Sequence, residues 1–150
     1  MPTLLEDFRS GDAGRIHHAT WQTILSRDPE LFDSLVPHVG QIRKATDAVD
    51  LGGLLRSNHA DVEHALDKVA NYQRGLCWCQ NYPGMDQYEP TKEEKAGHVR
   101  IVSTSDPGWS MTYVCECTLC GRVFDVEQGD YHFMWWKWVP RGEKRRRSTS

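Results

Sequence analysis

The sequence predicts an α+β protein, with helical hairpins in the N-terminal half packed on a small antiparallel sheet in the C-terminal half. Three observations predict it. Residues 1–74 hold no cysteine, and their apolar residues recur at helical spacing. Past residue 75 the pattern becomes alternating and β-branched runs separated by Pro and Gly turns. All five cysteines, Cys77, Cys79, Cys115, Cys117 and Cys120, fall in that second half.

The helical half reads in order. Thr3 and Glu6 have the spacing of a capping box, ahead of Leu4, Leu5 and Phe8, and Gly11 stops that helix. A second helix is expected over about 12–26, with Ile16, Ala19, Thr20, Trp21 and Ile24 near one face. Asp28 and Pro29 read as N-cap and first helical residue. Leu31, Phe32, Leu35 and Val36 then repeat at helical spacing until Pro37. Ile42, Ala45 and Val49 suggest another short helix, and Gly52-Gly53 must turn. Ser57 or Asn58 can cap the last helix, whose stripe is Val62, Ala65, Leu66, Val69 and Tyr72, ended by Gly75. Short amphipathic helices joined by short turns resemble a HEAT-like layout, with an irregular four- or five-helix bundle as the alternative.

In the second half, 97–102 (GHVRIV) reads as a strand and Asp106-Pro107-Gly108 as a turn. Residues 111–117 alternate as a strand requires. A third strand is expected at 122–126, a turn at 127–130 (EQGD), and a last strand at 131–139. Residues 81–96 (NYPGMDQYEPTKEEKA), with two prolines and few apolar residues, read as a long loop. The expectation is an antiparallel sheet of three or four strands.

The sharpest chemical signal is Cys117-Thr118-Leu119-Cys120-Gly121, a C-x-x-C-G turn between two strands that resembles a zinc knuckle. Two thiolates at that spacing bind one ion, and the glycine permits the tight backbone. A structural zinc ion needs four ligands, and Cys77-Trp78-Cys79 is the natural second pair. The expected ligands are therefore Cys77, Cys79, Cys117 and Cys120. Cys115 shares a strand face with Cys117 and is an alternative ligand. A gap of 37 residues separates Cys79 from Cys117, so the sheet must bring the pairs together. An odd cysteine count without an export signal argues against a disulfide framework, and an iron–sulfur cluster lacks its cysteine run. Four sulfur ligands make a closed, structural site. The organisation that follows is a helical subdomain over 1–75, a zinc-ribbon-like β subdomain over 76–140, and a basic, disordered tail over 141–150.

Composition bounds the function. A hydrophobic fraction of 39% and a charged fraction of 26% fit a folded chain. No apolar run approaches the ~20 residues of a membrane helix, and the acidic start lacks signal-peptide features, so the expected compartment is the cytosol. The net charge of −3 hides an asymmetry. Five of the 18 Lys/Arg and one of the 21 Asp/Glu lie in the last ten residues, which leaves −7 on residues 1–140. An acidic body suits a partner with a basic patch and is a poor surface for nucleic acid. The metalloprotease, deaminase, α/β-hydrolase and P-loop motifs are absent, and the seven histidines are scattered. No catalytic residue is expected.

Residues 131–138 (YHFMWWKW) form an aromatic strand. Tyr131, Phe133 and Trp135 fall on one face, and His132, Met134, Trp136 and Trp138 on the other. One face covers the sheet's core. The other is a seam buried against the helical half, or an exposed interface.

Gly75-Leu76-Cys77-Trp78-Cys79, the stretch 113–121 (YVCECTLCG), Tyr131-His132-Phe133 and Trp135-Trp136-Lys137-Trp138 together resemble bacterial immunity proteins of polymorphic or contact-dependent toxin systems. Ser10-Gly11-Asp12, residues 26–31, Asp50-Leu51-Gly52-Gly53 and Asn58 are similar too. The resemblance implies a cytosolic inhibitor that binds one cognate toxin domain and blocks its active site, and it supplies no catalytic residues. A toxin acting on nucleic acid, a nuclease-like domain for example, has a basic cleft that an acidic inhibitor would enter. Candidate contact acids are Asp86, Glu89, Glu93 and Glu94, or Asp61, Glu63 and Asp67. The alternative is a zinc-ribbon nucleic-acid binder using the aromatic strand and the tail residues Arg141, Lys144, Arg145, Arg146 and Arg147. A scaffold acting through the helical half is a third class.

Overall fold

Capping chemistry sets the starts of the first helices. In the computed structural model, which describes residues 3–53 and 57–142, the chain divides into two units, Met1–Arg74 and Gly75–Ser150. Thr3 caps α1 (Leu4–Phe8), its hydroxyl accepting from the Glu6 N–H at 3.1 Å. Asp12 caps α2 (Ala13–Leu25), and Asp28 caps α3 (Pro29–Leu35) with Pro29 in its first turn. A 3-10 turn over Val36–His38 leads into α4 (Val39–Asp47). Gly52 and Gly53 take positive φ, and Ser57 caps α5 (Asn58–Gln73).

The core of the first unit holds Phe8, Ile16, Ala19, Ile24, Phe32, Leu35, Ile42, Val62, Ala65, Leu66 and Val69. Helix α5 packs on α2, α3 and α4, the pattern of an irregular bundle around one central helix. Thr20, Thr23 and Thr46 are buried, and each hydroxyl donates to the carbonyl four residues back. Lys68, off the expected stripe, is 4% exposed. Its Nζ donates to the Ile24 and Ser26 carbonyls at 2.6 Å each, closing the C-terminal end of α2.

The second unit is a four-stranded antiparallel meander in the order β1-β2-β3-β4. Its strands are β1 (Val99–Thr104), β2 (Thr112–Cys117), β3 (Val123–Tyr131) and β4 (Phe133–Pro140). The covered face carries Val99, Tyr113, Cys115, Cys117, Phe124, Val126, Gln128, Trp136 and Trp138.

Residues 81–96 are not the loop that their polarity predicts. They enter from a seven-residue 3-10 segment (Trp78–Gly84) and continue into α6 (Pro90–Lys95). Tyr82, Met85 and Tyr88 are buried, so three apolar side chains suffice to lay this stretch on the sheet. Gly97, at φ +83, ends α6 in a Schellman pattern, with His98 N–H on the Glu93 carbonyl and Gly97 N–H on that of Glu94. This closure starts β1 at Val99 instead of Gly97.

The segment also protects both sheet edges. On β4, Trp136 N–H donates to the Asp86 carbonyl and Trp138 Nε1 to that of Tyr88. On β1, Glu94 accepts from the Ile101 N–H. Covered edges resist pairing with other chains.

The turn expected at 127–130 is strand. β3 runs on to Tyr131, and the chain reverses at His132, which takes φ +68. Two contacts override the E-Q-G-D turn signal. Gln128 is buried with its side-chain oxygen accepting from Tyr113 OH and Trp136 Nε1. Gly129 lies under the Trp135 indole, where a Cβ would come within 2.1 Å of the ring.

Candidate metal centre

The centre joins two local structures. Cys117 ends β2, and Gly121 N–H donates back to its carbonyl at 2.9 Å, with Gly121 at φ +78. Thr118 fastens this turn to the start of β1, its N–H on the His98 carbonyl and its hydroxyl on that of Gly97. Cys77 is the N-cap of the 3-10 segment and Cys79 lies inside it, with Gln80 N–H donating to the Cys77 carbonyl.

The sulfurs of Cys77, Cys79, Cys117 and Cys120 all lie within 4.8 Å of one another. Cys77 and Cys117 are 3.7 Å apart, and Cys79 and Cys120 are 3.5 Å apart. A tetrahedral ion with metal–sulfur bonds of about 2.3 Å needs sulfurs about 3.8 Å apart, so this set fits one ion. The four expected ligands are brought together, and a metal can be held there.

Cys115 is not one of the four. It shares the covered face, but two residues along β2 is about 6.8 Å. It pairs with Ile101 and Phe124 across the sheet and stays buried. Burial, then the Glu94 charge, pushes its thiol up to about 12.

Neighbouring groups shift the thiols of the cluster in opposite directions. The Cys117 sulfur is held well below the usual thiol range, because the Cys77 and Cys79 thiols donate to it and the Cys120 and Leu119 N–H groups face it. Cys77 is pushed up to about 11, chiefly by hydrogen bonding to Cys117, and Cys79 is raised for the same reason. Amides aimed at one sulfur mark a turn shaped for a thiolate.

No family model, no curated protein and no solved structure matches this chain. Its reading therefore rests on its own residues. Among the described residues, no other group of three or more His, Cys, Asp or Glu gathers ligand atoms in this way. No helix there is long and apolar enough to cross a membrane.

Several proposed contact acids have intramolecular partners. Glu93 accepts from Tyr82 OH at 2.6 Å and pairs with His98 at 3.1 Å. Glu94 binds the Ile101 amide, Glu89 accepts from the Thr91 hydroxyl, and Glu63 takes two bonds from Arg43. Asp61 is buried. Asp67 has its carboxyl raised, first by burial and then by Glu63. Asp86 meets Trp136 through its backbone. Arg141 belongs to the sheet, its N–H on the Val123 carbonyl and its guanidinium on Asp125. Lys144, Arg145, Arg146 and Arg147 lie outside the described residues.

Sequence reasoning missed the tyrosine at 82 and the glutamine at 128 as organising residues. The only sequence signal for either was an aromatic or an amide set among polar neighbours.

Proposed function

We propose that this chain is a cytosolic immunity-type protein that binds and neutralises a cognate bacterial toxin domain by blocking its active site, with one structural zinc ion holding its C-terminal unit. The observation that carries the reading is the closed set of four sulfurs. Around one tetrahedral ion they would take all four positions, which would leave no open site for a substrate or a reactive water. Bound there, zinc supplies a cross-link between the 3-10 segment and the β2–β3 turn. The activity is then left to the surface.

Zinc is favoured by the chemistry of the donors. Four thiolates in a C-x-x-C-G turn and a C-x-C pair suit a soft tetrahedral ion. The inhibitor role is supported by the resemblance of the cysteine and aromatic stretches and by the −7 charge of residues 1–140. Such charge steers association with a basic cleft. The nucleic-acid reading is disfavoured by Trp136 and Trp138. Both are buried with their indole N–H groups bonded, so neither offers a face to a base.

The test is affinity purification from the native cytosol with and without nuclease. One near-stoichiometric protein, retained after nuclease and toxic to a heterologous host unless this chain is co-expressed, is the expected result. Recovery of DNA or RNA alone would favour the zinc-ribbon alternative.

A further inference from the structure

The end of the sheet opposite the cysteines carries aromatic side chains that the fold keeps in solvent. Trp109, in the β1–β2 tip, and Tyr131, in the β3–β4 tip, are each 74% exposed. In this meander both tips share one end, and the Cys117 turn lies at the other. Gln128 ties them together. Its Nε2 donates to the Gly108 and Trp109 carbonyls at 3.2 and 3.4 Å, and its N–H to the Met111 carbonyl at 2.9 Å. The backbone beneath Trp109 is thus held by a buried network while its indole stays exposed. Tyr131 lies three residues beyond Gln128, about 10 Å of strand. It packs on His132 at 4.3 Å between ring centroids, over a reversal in the left-handed region that favours glycine. Exposed Trp and Tyr, with few rotatable bonds, are the side chains that anchor interfaces at low entropic cost.

The charge around them names the partner. Residues 103–114 and 127–136 contain Asp106, Glu127 and Asp130 and no Lys or Arg. Carboxylates beside aromatic faces attract guanidinium and ammonium groups and repel phosphates. Starting at Ser110, a groove of about 440 Å³ runs over Thr112, Val114, Glu127 and Val139. The cation that lines it, Lys137, lies opposite Glu127 in the β3–β4 register, so the uncompensated charge near the tips is that of Asp106 and Asp130.

We propose that these two tips are the docking surface for a basic protein, with Trp109 and Tyr131 stacking on its Arg and Lys side chains. The proposal rests on the protein-binding reading above and adds the surface and its chemistry.

The test is an NMR titration of the full-length protein with an octa-arginine peptide, and separately with an oligo-dT strand. Shifts centred on the Trp109 indole and residues 128–133 are expected. The Trp109→Ala/Tyr131→Ala double variant should bind the peptide at least about tenfold more weakly. Leu25→Ala, exposed in the other unit, should bind as wild type. Unchanged peptide affinity in the double variant, shifts elsewhere, equal shifts from oligo-dT, or concentration-dependent shifts without peptide would each overturn the proposal. The last two would point to nucleic acid and to a second copy. A toxin captured as above that binds the double variant with unchanged Kd would sink this surface and leave the inhibitor reading standing. Peptide binding at the tips with no toxin captured would do the reverse.

Discussion

Tyr82 stacks on Trp138, with ring centroids 4.1 Å apart and planes 13° apart. Phe124 and Tyr88 meet Tyr82 edge-on, and its hydroxyl reaches Glu93. One aromatic residue therefore fastens a Pro/Gly-rich segment to the last strand. Truncation to Ala should cost about 3–5 kcal/mol. Tyr82→Phe keeps the stack and loses the hydroxyl bond, so about 0.5–1.5 kcal/mol is expected. Urea unfolding of both variants checks the ratio, and equal losses would refute the stack as the dominant contribution.

Purified protein should contain one zinc ion per chain. Cys117→Ser or Cys79→Ser should release it and abolish the cooperative unfolding of the second unit, because binding and folding share one free energy. Cys115→Ser should retain the metal, since Cys115 is outside the cluster. Metal analysis and circular dichroism after chelation test this. A folded, metal-free wild type would exclude a structural ion.

Gly129→Ala should destabilise the β3–β4 hairpin, because the new Cβ would overlap the Trp135 ring. We expect about 1–3 kcal/mol, the usual range for overpacking. Adding Trp135→Ala removes the clash, so the double variant should lose less than the sum of the two single losses. Strict additivity in thermal unfolding would contradict the packing.

Cys115 predicts an alkaline limit. Its folded pKa of about 12 lies above the ordinary thiol value, so its contribution is fully present below about pH 8.5 and is lost as pH rises toward 12. Cys115→Ala should therefore cost most at pH 7 and progressively less at pH 9 and 10.5. Denaturant midpoints for both proteins at those pH values measure it. A pH-independent difference would show that the thiol does not resist ionisation.

Under the proposed inhibitor reading, association with a cognate toxin should be electrostatically steered. Its on-rate should fall markedly between about 50 and 500 mM salt while the off-rate changes little. Stopped-flow mixing reads both, and a salt-independent on-rate would remove steering from the mechanism.

Most of the helical half was legible because its signals are local. Thr3, Asp12, Asp28 and Ser57 each satisfy N–H groups within three residues, and each caps the helix that follows it. Lys68 was not legible. Its carbonyl partners lie 42 and 44 residues earlier, and a lysine on a helix reads as solvated until the end of α2 is placed beside it.

By itself the sequence indicated the starts of α1, α2, α3 and α5, the α+β class, the shared face of Trp136 and Trp138 on β4 and which four cysteines could share an ion, since capping, side-chain alternation and C-x-x-C spacing act over a few residues. Tertiary structure decided the rest. It excluded Cys115 from the cluster, moved the reversal from 127–130 to His132, and turned residues 81–96 into the cover of the sheet. The physical reason is one of magnitude. A turn preference is worth about 1 kcal/mol, whereas burying Tyr82 against Trp138, or Gln128 with its bonds made, is worth several. Such gains exist only once distant strands have met.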